Sequence, residues 1–383
     1  MSGWTPRMLR TRLDVSVSAA AALIVMFALV APAFAKDGDR DQERENSYHQ
    51  TNLVSDIPGL AAFTDPNLKN PWGLSRGPTS PWWASDQATG VSTLYNGNTG
   101  APQALVVAIP PSARPGPQGP TGTVFNATND FVVSSGTSSG PARFLFATLG
   151  GSLAGWNPTV DGTNAIIAKS FADAVYTGLA IGGDAAGHNR LYAANFGAGH
   201  VDVFDATFTR LSTPGFVDSA LPAGYSPFGI QNLGNNLYVA YAKVDPVTHR
   251  DQPGVNNGVV DVYNGDGLLL HRLITGSRLN SPWGMGMAMA PARFGRFSND
   301  LLVGNFGDGL IHAYDPVSGR RLGTLRHENE QPVVLPGLWA LAFGNDAAAG
   351  PSTTLFFTAG INKEADGLFG TLVPAADKEE PED

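Results

Sequence analysis

The amino-acid sequence predicts an all-β fold made of repeated units, and three observations support this. Gly and Pro are frequent, with 46 Gly and 28 Pro among 383 residues, which favours many turns over long helices. Hydrophobic residues make up 43% of the chain and charged residues only 15%, enough apolar material for a large core. Short strand patterns also recur with a period of about 50 residues, as in repeat architectures.

Two sequence marks define the repeat. One is an aromatic residue followed by Asn or Asp at the end of a short strand, at Tyr95-Asn96, Trp156-Asn157, Phe204-Asp205, Tyr263-Asn264 and Tyr314-Asp315, with Phe369-Gly370 as a degenerate copy. The other begins most units, at Trp72-Gly73, Thr177-Gly178, Phe228-Gly229, Trp283-Gly284 and Trp339-Ala340. Further strand patterns joined by hairpin turns lie between and after these marks. Each unit is therefore predicted to contain four short strands.

Four-stranded units at this period are typical of β-propeller blades, and six of them fit residues 70–374. The last unit shows only three clear strands, and residues 51–55 supply a fourth that would close the ring and remove an exposed sheet edge. The predicted fold is thus an all-β, six-bladed β-propeller of four-stranded blades, closed by an N-terminal strand in the last blade. An open sandwich is the alternative, but it gives no reason for a repeated Trp-Gly element.

The N-terminal residues have the organisation of a secretory signal. Three arginines precede an apolar stretch at residues 19–30, and small residues follow on either side of Phe34. The apolar stretch is shorter than the roughly 20 residues that cross a bilayer. We therefore expect cleavage after Ala35, no membrane span in the mature chain, and an exported protein in the periplasm or outside the cell.

The remaining chain divides into three parts by composition. A polar linker is predicted at residues 36–50, the propeller at 51–374 and an acidic tail at 375–383. The net charge is −9 and no run of Lys and Arg appears, which argues against nucleic acid as a partner.

Several repeat elements resemble a known family. They are Asn70-Pro71-Trp72-Gly73-Leu74, Tyr241-Ala242-Lys243, Ser281-Pro282-Trp283-Gly284, the stretch 302–309 and the stretch 365–370. They look like an uncharacterised family of exported bacterial β-propeller proteins with NHL-like repeats, some of which carry a PEP-CTERM sorting tail. The resemblance covers nearly all of residues 51–374 and implies the fold, but no catalytic residue. This chain lacks the apolar and basic ends of a sorting tail.

The candidate binding site is the end of the central channel at which the innermost strands begin, named here the upper rim. Second strands end at the same rim, so inner-strand aromatics and polar turn residues should converge there. The candidates are Trp72, Asp86, Asn195, Phe228, Trp283, Asn305, Trp339 and Asn362. Such a ring could stack on a small molecule, a glycan or a protein. The alternative is structural, with aromatics wedged between blades and Asn adopting left-handed turn geometry.

The fourth unit carries a long insertion, residues 243–258, which is expected on the same rim. Within it, Asp245, His249 and Asp251 are weak candidates for ligating a hard divalent cation such as Ca²⁺, or for acid–base chemistry. A solvated loop is the alternative. The chain has no cysteine, so any metal would need oxygen or histidine ligands.

Two functional hypotheses follow. The first is a non-catalytic, monomeric module that binds a ligand or protein at the upper rim. The second is a metal-dependent hydrolase of the lactonase or esterase type, with an ion held by oxygen ligands in the channel. The polar turn residues are mostly Asn and the inner-strand elements contain no Glu, which favours binding.

Overall fold

Six sheets, antiparallel except for one short parallel edge pair, surround a central channel in the computed structural model of the chain, which describes residues 47–212 and 215–375. The six-bladed propeller predicted from the repeat is confirmed. The predicted signal segment, all but the last four residues of the predicted linker, and the tail beyond residue 375 lie outside the described residues. Within the described part, no helix has the length and apolarity that a membrane crossing requires.

The strands follow the chain blade by blade. Two precede the first blade, β1 (Tyr48–Ser55) and β2 (Phe63–Thr64). Blade 1 contains β3 (Pro71–Ser75), β4 (Trp82–Asp86), β5 (Val91–Tyr95) and β6 (Pro102–Ala108). Blade 2 contains β7 (Pro120–Phe125), β10 (Phe144–Thr148), β11 (Ser152–Trp156) and β12 (Ile166–Ser170), with an inserted hairpin of β8 (Val132–Ser135) and β9 (Ser138–Pro141).

The second half of the ring repeats this plan. Blade 3 contains β13 (Tyr176–Gly183), β14 (Asn189–Asn195) and β15 (His200–Phe204). Blade 4 contains β16 (Tyr225–Leu233), β17 (Asn236–Lys243), β18 (Gly258–Tyr263) and β19 (Leu269–Thr275). Blade 5 contains β20 (Pro282–Met287), β21 (Leu301–Asn305), β22 (Ile311–Tyr314) and β23 (Arg321–Thr324). Blade 6 contains β24 (Leu338–Phe343), β25 (Leu355–Ala359) and β26 (Leu368–Pro374), and the only helical segment in the described residues is the short turn Ile361–Glu364.

The ring closes in blade 6 through β1, which pairs antiparallel with β26 as predicted. The strand begins at Tyr48, three residues before the predicted residue 51. Tyr48 is fully buried, with its ring centroid 4.7 Å from that of Phe294 and 6.2 Å from that of Phe297. Its hydroxyl donates to the Phe294 carbonyl at 3.2 Å. The last residues assigned to the linker therefore belong to the closing strand.

Blade 3 departs from the predicted four strands. Its described residues form a three-stranded sheet. In the described residues after β15, the chain contacts this strand at two points: a single bridge between Phe204 and Arg210, and a hydrogen bond of 2.8 Å from the Leu211 amide to the Val203 carbonyl. The Asp205 carboxylate accepts hydrogen bonds from the amides of Thr207 and Thr209 and closes a tight turn directly after β15.

The repeated glycine of the inner strands is explained by the distance between neighbouring blades. A Cβ atom placed on Gly229 of β16 would lie 2.2 Å from the Trp283 carbonyl oxygen of β20. One placed on Gly284 would lie 2.2 Å from the Trp339 carbonyl oxygen of β24. Each glycine thus lets its strand approach the next inner strand around the ring, which no side chain would allow.

The seam between blades 6 and 1 uses a different contact, because Ala340 stands where the other blades have glycine. Thr358 bridges this seam. Its hydroxyl donates to the Trp72 carbonyl at 2.8 Å and accepts from the Ala340 amide at 3.1 Å. A buried side chain from β25 therefore joins the first and last inner strands.

Candidate functional site

The four predicted aromatic side chains meet across the upper rim. Trp72 stacks on Trp339 with ring centroids 3.6 Å apart, and Trp283 lies edge-on to both at 6.2 and 5.7 Å. Phe228 lies 6.2 Å from Trp72 and 5.8 Å from Trp339. The four side chains are at most 8% exposed. They come together as the repeat predicted, but their faces are occupied by one another instead of ringing an opening.

Two further aromatics complete this closure. Phe306 stacks on Trp339 at 4.1 Å, and Phe196 lies 5.2 Å from Phe228. Both belong to Asn-Phe-Gly turns that the sequence repeats, although only the Asn residues of these turns were site candidates. The six side chains are called the aromatic plug: Trp72, Phe196, Phe228, Trp283, Phe306 and Trp339.

The buried Asn candidates beside the plug bind the backbone. The Asn195 side-chain carbonyl accepts from the Val175 amide at 3.1 Å, and its amide group donates to Asp202 at 3.0 Å. The Asn305 amide group donates to the Arg278 carbonyl at 2.9 Å. Both Asn side chains are fully buried. In this structure they hold turns together through their side chains, and neither has the left-handed backbone that the structural alternative expected.

The other two polar candidates, Asp86 and Asn362, also form hydrogen bonds within the protein. Asp86 is fully buried in blade 1, where its carboxylate accepts from the Thr93 amide at 3.1 Å and hydroxyl at 2.7 Å. Burial raises the pKa of the Asp86 carboxyl well above its usual value, and the Thr93 hydrogen bonds oppose the rise. Asn362 is exposed and donates to Asp366 at 2.8 Å. These two side chains belong to separate local networks.

The blade 4 insertion reaches the upper rim, as expected. Arg250 forms an ion pair with Glu364 of blade 6. The other carboxylate oxygen of Glu364 accepts from the Asn70 side chain at 3.1 Å, and Asn70 in turn accepts from the Trp339 indole at 2.8 Å. A continuous polar chain therefore links residues 243–258 to the aromatic plug.

The three metal candidates of the insertion are not gathered into one group in the described residues, and metal binding by them stays a prediction. The described residues contain no cluster of three or more His, Asp or Glu side chains that could hold an ion. Asp245 accepts from the amides of Val247 and Thr248 at 2.9 and 2.8 Å and caps its own turn. His249 is exposed, whereas Asp251 is buried, and burial raises the pKa of its carboxyl.

Open space lies at the opposite end of the channel, where the innermost strands end. This end is called the lower mouth, and its cavity of about 410 Å³ is called the lower cavity. Residues at equivalent positions of all six inner strands line it: Arg76, Phe125, Ile181, Asn232, Met287 and Phe343. A void of about 10 Å³ lies further along the channel, towards the plug. The channel is therefore filled at the upper rim and open at the lower mouth.

The walls of the lower cavity present polar and apolar surface in similar amounts and carry one charged side chain. The Nε atom of Arg76 donates to the Phe343 carbonyl at 2.6 Å, and the guanidinium lies 5.7 Å from the Trp82 ring centre. Among the described residues, no carboxylate lies within 4.0 Å of this guanidinium. Burial lowers the pKa of Arg76, while the negative charge of Asp346 opposes the change.

One feature of the sequence marks this site, although Arg76 was not among the predicted site residues. When the inner strands are aligned on their first aromatic or Thr, the position four residues later holds Arg76 in blade 1 and uncharged residues in the other blades. A single charge in a six-fold ring marks one wall of the channel. The cavity itself depends on side-chain packing between distant units and has no counterpart in the local sequence.

Comparisons with known proteins place the chain among viral relatives. No family model matches it. Uncharacterized protein L690 of Acanthamoeba polyphaga mimivirus is 34% identical over 338 residues, covering 84% of each chain. Uncharacterized protein R648 of the same virus is 32% identical over 333 residues, covering 84% of this chain and 78% of R648.

Among solved structures, the soluble aldose sugar dehydrogenase of Escherichia coli in its apo form is similar with a TM-score of 0.52. The match covers 86% of this chain and all of that chain at 12% identity. A likeness at this identity supports the propeller fold and carries no activity.

Proposed function

The chain belongs to the family of the mimivirus proteins L690 and R648, and from that premise we propose that it is a ligand-binding β-propeller whose site is the lower cavity. The observation that supports this most directly is the space of about 410 Å³ enclosed by all six inner strands. Ligand pockets are typically about 300–1,000 Å³, mostly apolar, with a few polar groups that fix orientation. The relatives L690 and R648 are themselves uncharacterized proteins, so the function must be argued from the site.

Binding fits the walls of the lower cavity better than catalysis does. Its described lining contains no Asp, Glu or His side chain, the residue types that most often act as general acids and bases. The metal-dependent hydrolase alternative requires an ion held by oxygen ligands in the channel, and the described lining of the lower cavity contains no carboxylate to hold one. A ligand at the upper rim would have to separate the rings of the aromatic plug, so binding there stays a prediction.

A neutral apolar dye tests this proposal. N-Phenyl-1-naphthylamine fluoresces in apolar surroundings and carries no charge. We expect one equivalent to bind the wild-type chain, and Met287→Trp to reduce the affinity at least about tenfold by filling the mouth. Val247→Trp is the matched control, because Val247 is 84% exposed on the insertion at the other end of the channel. Absence of saturable binding to the wild-type chain, or equal binding to both variants, would contradict the proposal.

We also propose that the chain is exported, on the charge and hydropathy pattern of residues 1–35. The relatives L690 and R648 are viral, so membership of a bacterial exported family stays a prediction. Expression of the full chain in a bacterial host, followed by N-terminal sequencing, tests export. We expect Lys36 as the first residue, whereas a chain that keeps residues 1–35 and stays in the cytoplasm would contradict it.

A further inference from the structure

From the single charged side chain of the lower cavity, we infer that its ligand is a small organic anion, with a carboxylate or sulfonate group on an apolar body, and that Arg76 is its anchor. This inference rests on the proposed function and narrows it to a class of ligand. Three observations support it: the Arg76 guanidinium forms no ion pair in the part of the chain that the structure describes, the opposite walls carry apolar side chains, and the charge lies in one blade of the six.

Arg76 is held in place but forms no ion pair in the described residues, and the charge of Asp346 acts on it only from beyond 4.0 Å. Its Nε–H group is used by the Phe343 carbonyl, and its guanidinium lies over the Trp82 ring. Within the described residues, its two terminal nitrogens make no hydrogen bond and no ion pair. A guanidinium stays charged in proteins, and its terminal groups match a carboxylate or sulfonate geometrically. A partly buried charge without a partner is costly, and a ligand anion would remove that cost.

The remaining walls fit an apolar body. Met285 and Met287 of β20, Phe125 of β7 and Leu74 of β3 line the lower cavity. Thioether side chains are flexible and polarizable, so they adapt to ligands of irregular shape. A fully polar anion such as inorganic phosphate would leave these surfaces without a partner. The pairing of one cation with thioether and aromatic walls therefore indicates an amphipathic anion.

The position of the charge also orients the ligand. Arg76 belongs to blade 1, whereas blades 4 and 5 contribute Asn232, Met287 and the half-exposed Met289 to the cavity. The amide of Asn232 is already used, since it donates to the Ile181 carbonyl at 2.8 Å. The anionic group of the ligand thus lies against blade 1 and its apolar body against the methionine wall.

A matched pair of dyes tests the inference. 8-Anilino-1-naphthalenesulfonate shares the ring skeleton of N-phenyl-1-naphthylamine and adds one sulfonate. We expect the wild-type chain to bind the sulfonate dye more tightly than the neutral dye. Arg76→Met should lower the affinity for the sulfonate dye about tenfold, the value of one charge-assisted hydrogen bond, and leave the neutral dye unchanged. Arg143→Met, at an exposed arginine outside the cavity, should change neither affinity.

The outcomes separate the two proposals. If both dyes bind equally and Arg76→Met changes neither, the anion inference fails and the proposed cavity site stands. If neither dye binds the wild-type chain, both fail. If the Met variant does not fold, Arg76→Lys is used in its place, because lysine keeps the positive charge but lacks the planar guanidinium with its paired N–H donors. It should retain a preference for the sulfonate dye that is weaker than the wild-type preference, and an unchanged or abolished preference would overturn the role of Arg76.

Discussion

Single residues on the inner strands set how closely neighbouring blades approach each other. The repeated glycine of these strands, for example Gly229 and Gly284, shows this most directly. The sequence revealed the Gly as part of a repeated mark. Its physical reason became visible only with the neighbouring strand, whose carbonyl oxygen lies where a Cβ atom would be. The same comparison explains why blade 6, with Ala340, needs Thr358 to join it to blade 1.

Gly229→Ala tests this contact. We expect the free energy of unfolding to fall by about 1–3 kcal/mol, as for other overpacked cores, because the added methyl group would lie 2.2 Å from the Trp283 carbonyl oxygen. Gly162→Ala is the control, since a Cβ atom there has no neighbour within 4 Å. Urea unfolding measures both variants. Equal stability of the two would show that the glycine is not required for strand approach.

His312 gives a prediction of pH dependence. It is 1% exposed in β22, and burial, with the positive charge of Arg321 adding, lowers the pKa of its imidazole from 6.5 to about 4. Between these values the unfolded chain binds a proton that the folded chain does not, so stability falls as the pH falls. We expect this residue to account for a loss of about 2 kcal/mol between pH 7 and pH 5.

The measurement is urea unfolding at pH 7 and pH 5. His312→Gln should remove this part of the pH dependence, whereas His271→Gln, at an exposed position, should keep it. A wild-type pH dependence that survives in His312→Gln would show that other groups cause it.

The sequence predicted which residues lie in the turns beside the channel, but it did not predict what their side chains bind. Asn195 and Asn305 were found from the repeat, and the structure uses them to bind backbone groups. Arg76 was not among the predicted site residues, because it belongs to neither of the two marks that define the repeat. Which polar side chain is free for a ligand depends on its hydrogen-bond partners, and these come from distant parts of the chain.

At the scale of elements, the strands were largely predictable because each follows an alternating pattern bounded by turn residues. The sequence patterns predict the three strands of blade 6 and the closing strand β1, and the structure contains all four. Blade 3 differs from the pattern, since its described residues form three strands where the repeat predicts four. The metal candidates of the insertion do not form one group in the described residues, where Asp245 caps its own turn, and metal binding by them stays a prediction.

The start of β1 can be tested at its first residue. We expect Tyr48→Ala to lower the free energy of unfolding by about 3–5 kcal/mol, the range for deleting a buried aromatic side chain, because Tyr48 packs between Phe294 and Phe297. His49→Ala, at the exposed neighbouring position, should cost much less. A small, equal effect of both changes in thermal unfolding would place these residues in the linker.

At the scale of the whole molecule, the ring closes at one end of its channel and stays open at the other. The repeat predicted that aromatic residues of four blades converge, and they do. It could not predict that six rings would fill the upper rim, because this depends on distances between blades. It also could not reveal the lower cavity, where each blade contributes a different side chain.

The central claim is that ligands enter the channel at the lower mouth, and the most direct test compares the two ends in one titration. The neutral dye N-phenyl-1-naphthylamine is titrated into Met287→Trp, which narrows the lower mouth, and into Trp283→Phe, which alters the aromatic plug. We expect the first change to weaken binding at least about tenfold and the second to leave it within about twofold of wild type. The reverse order, with binding lost in Trp283→Phe and kept in Met287→Trp, would contradict the claim.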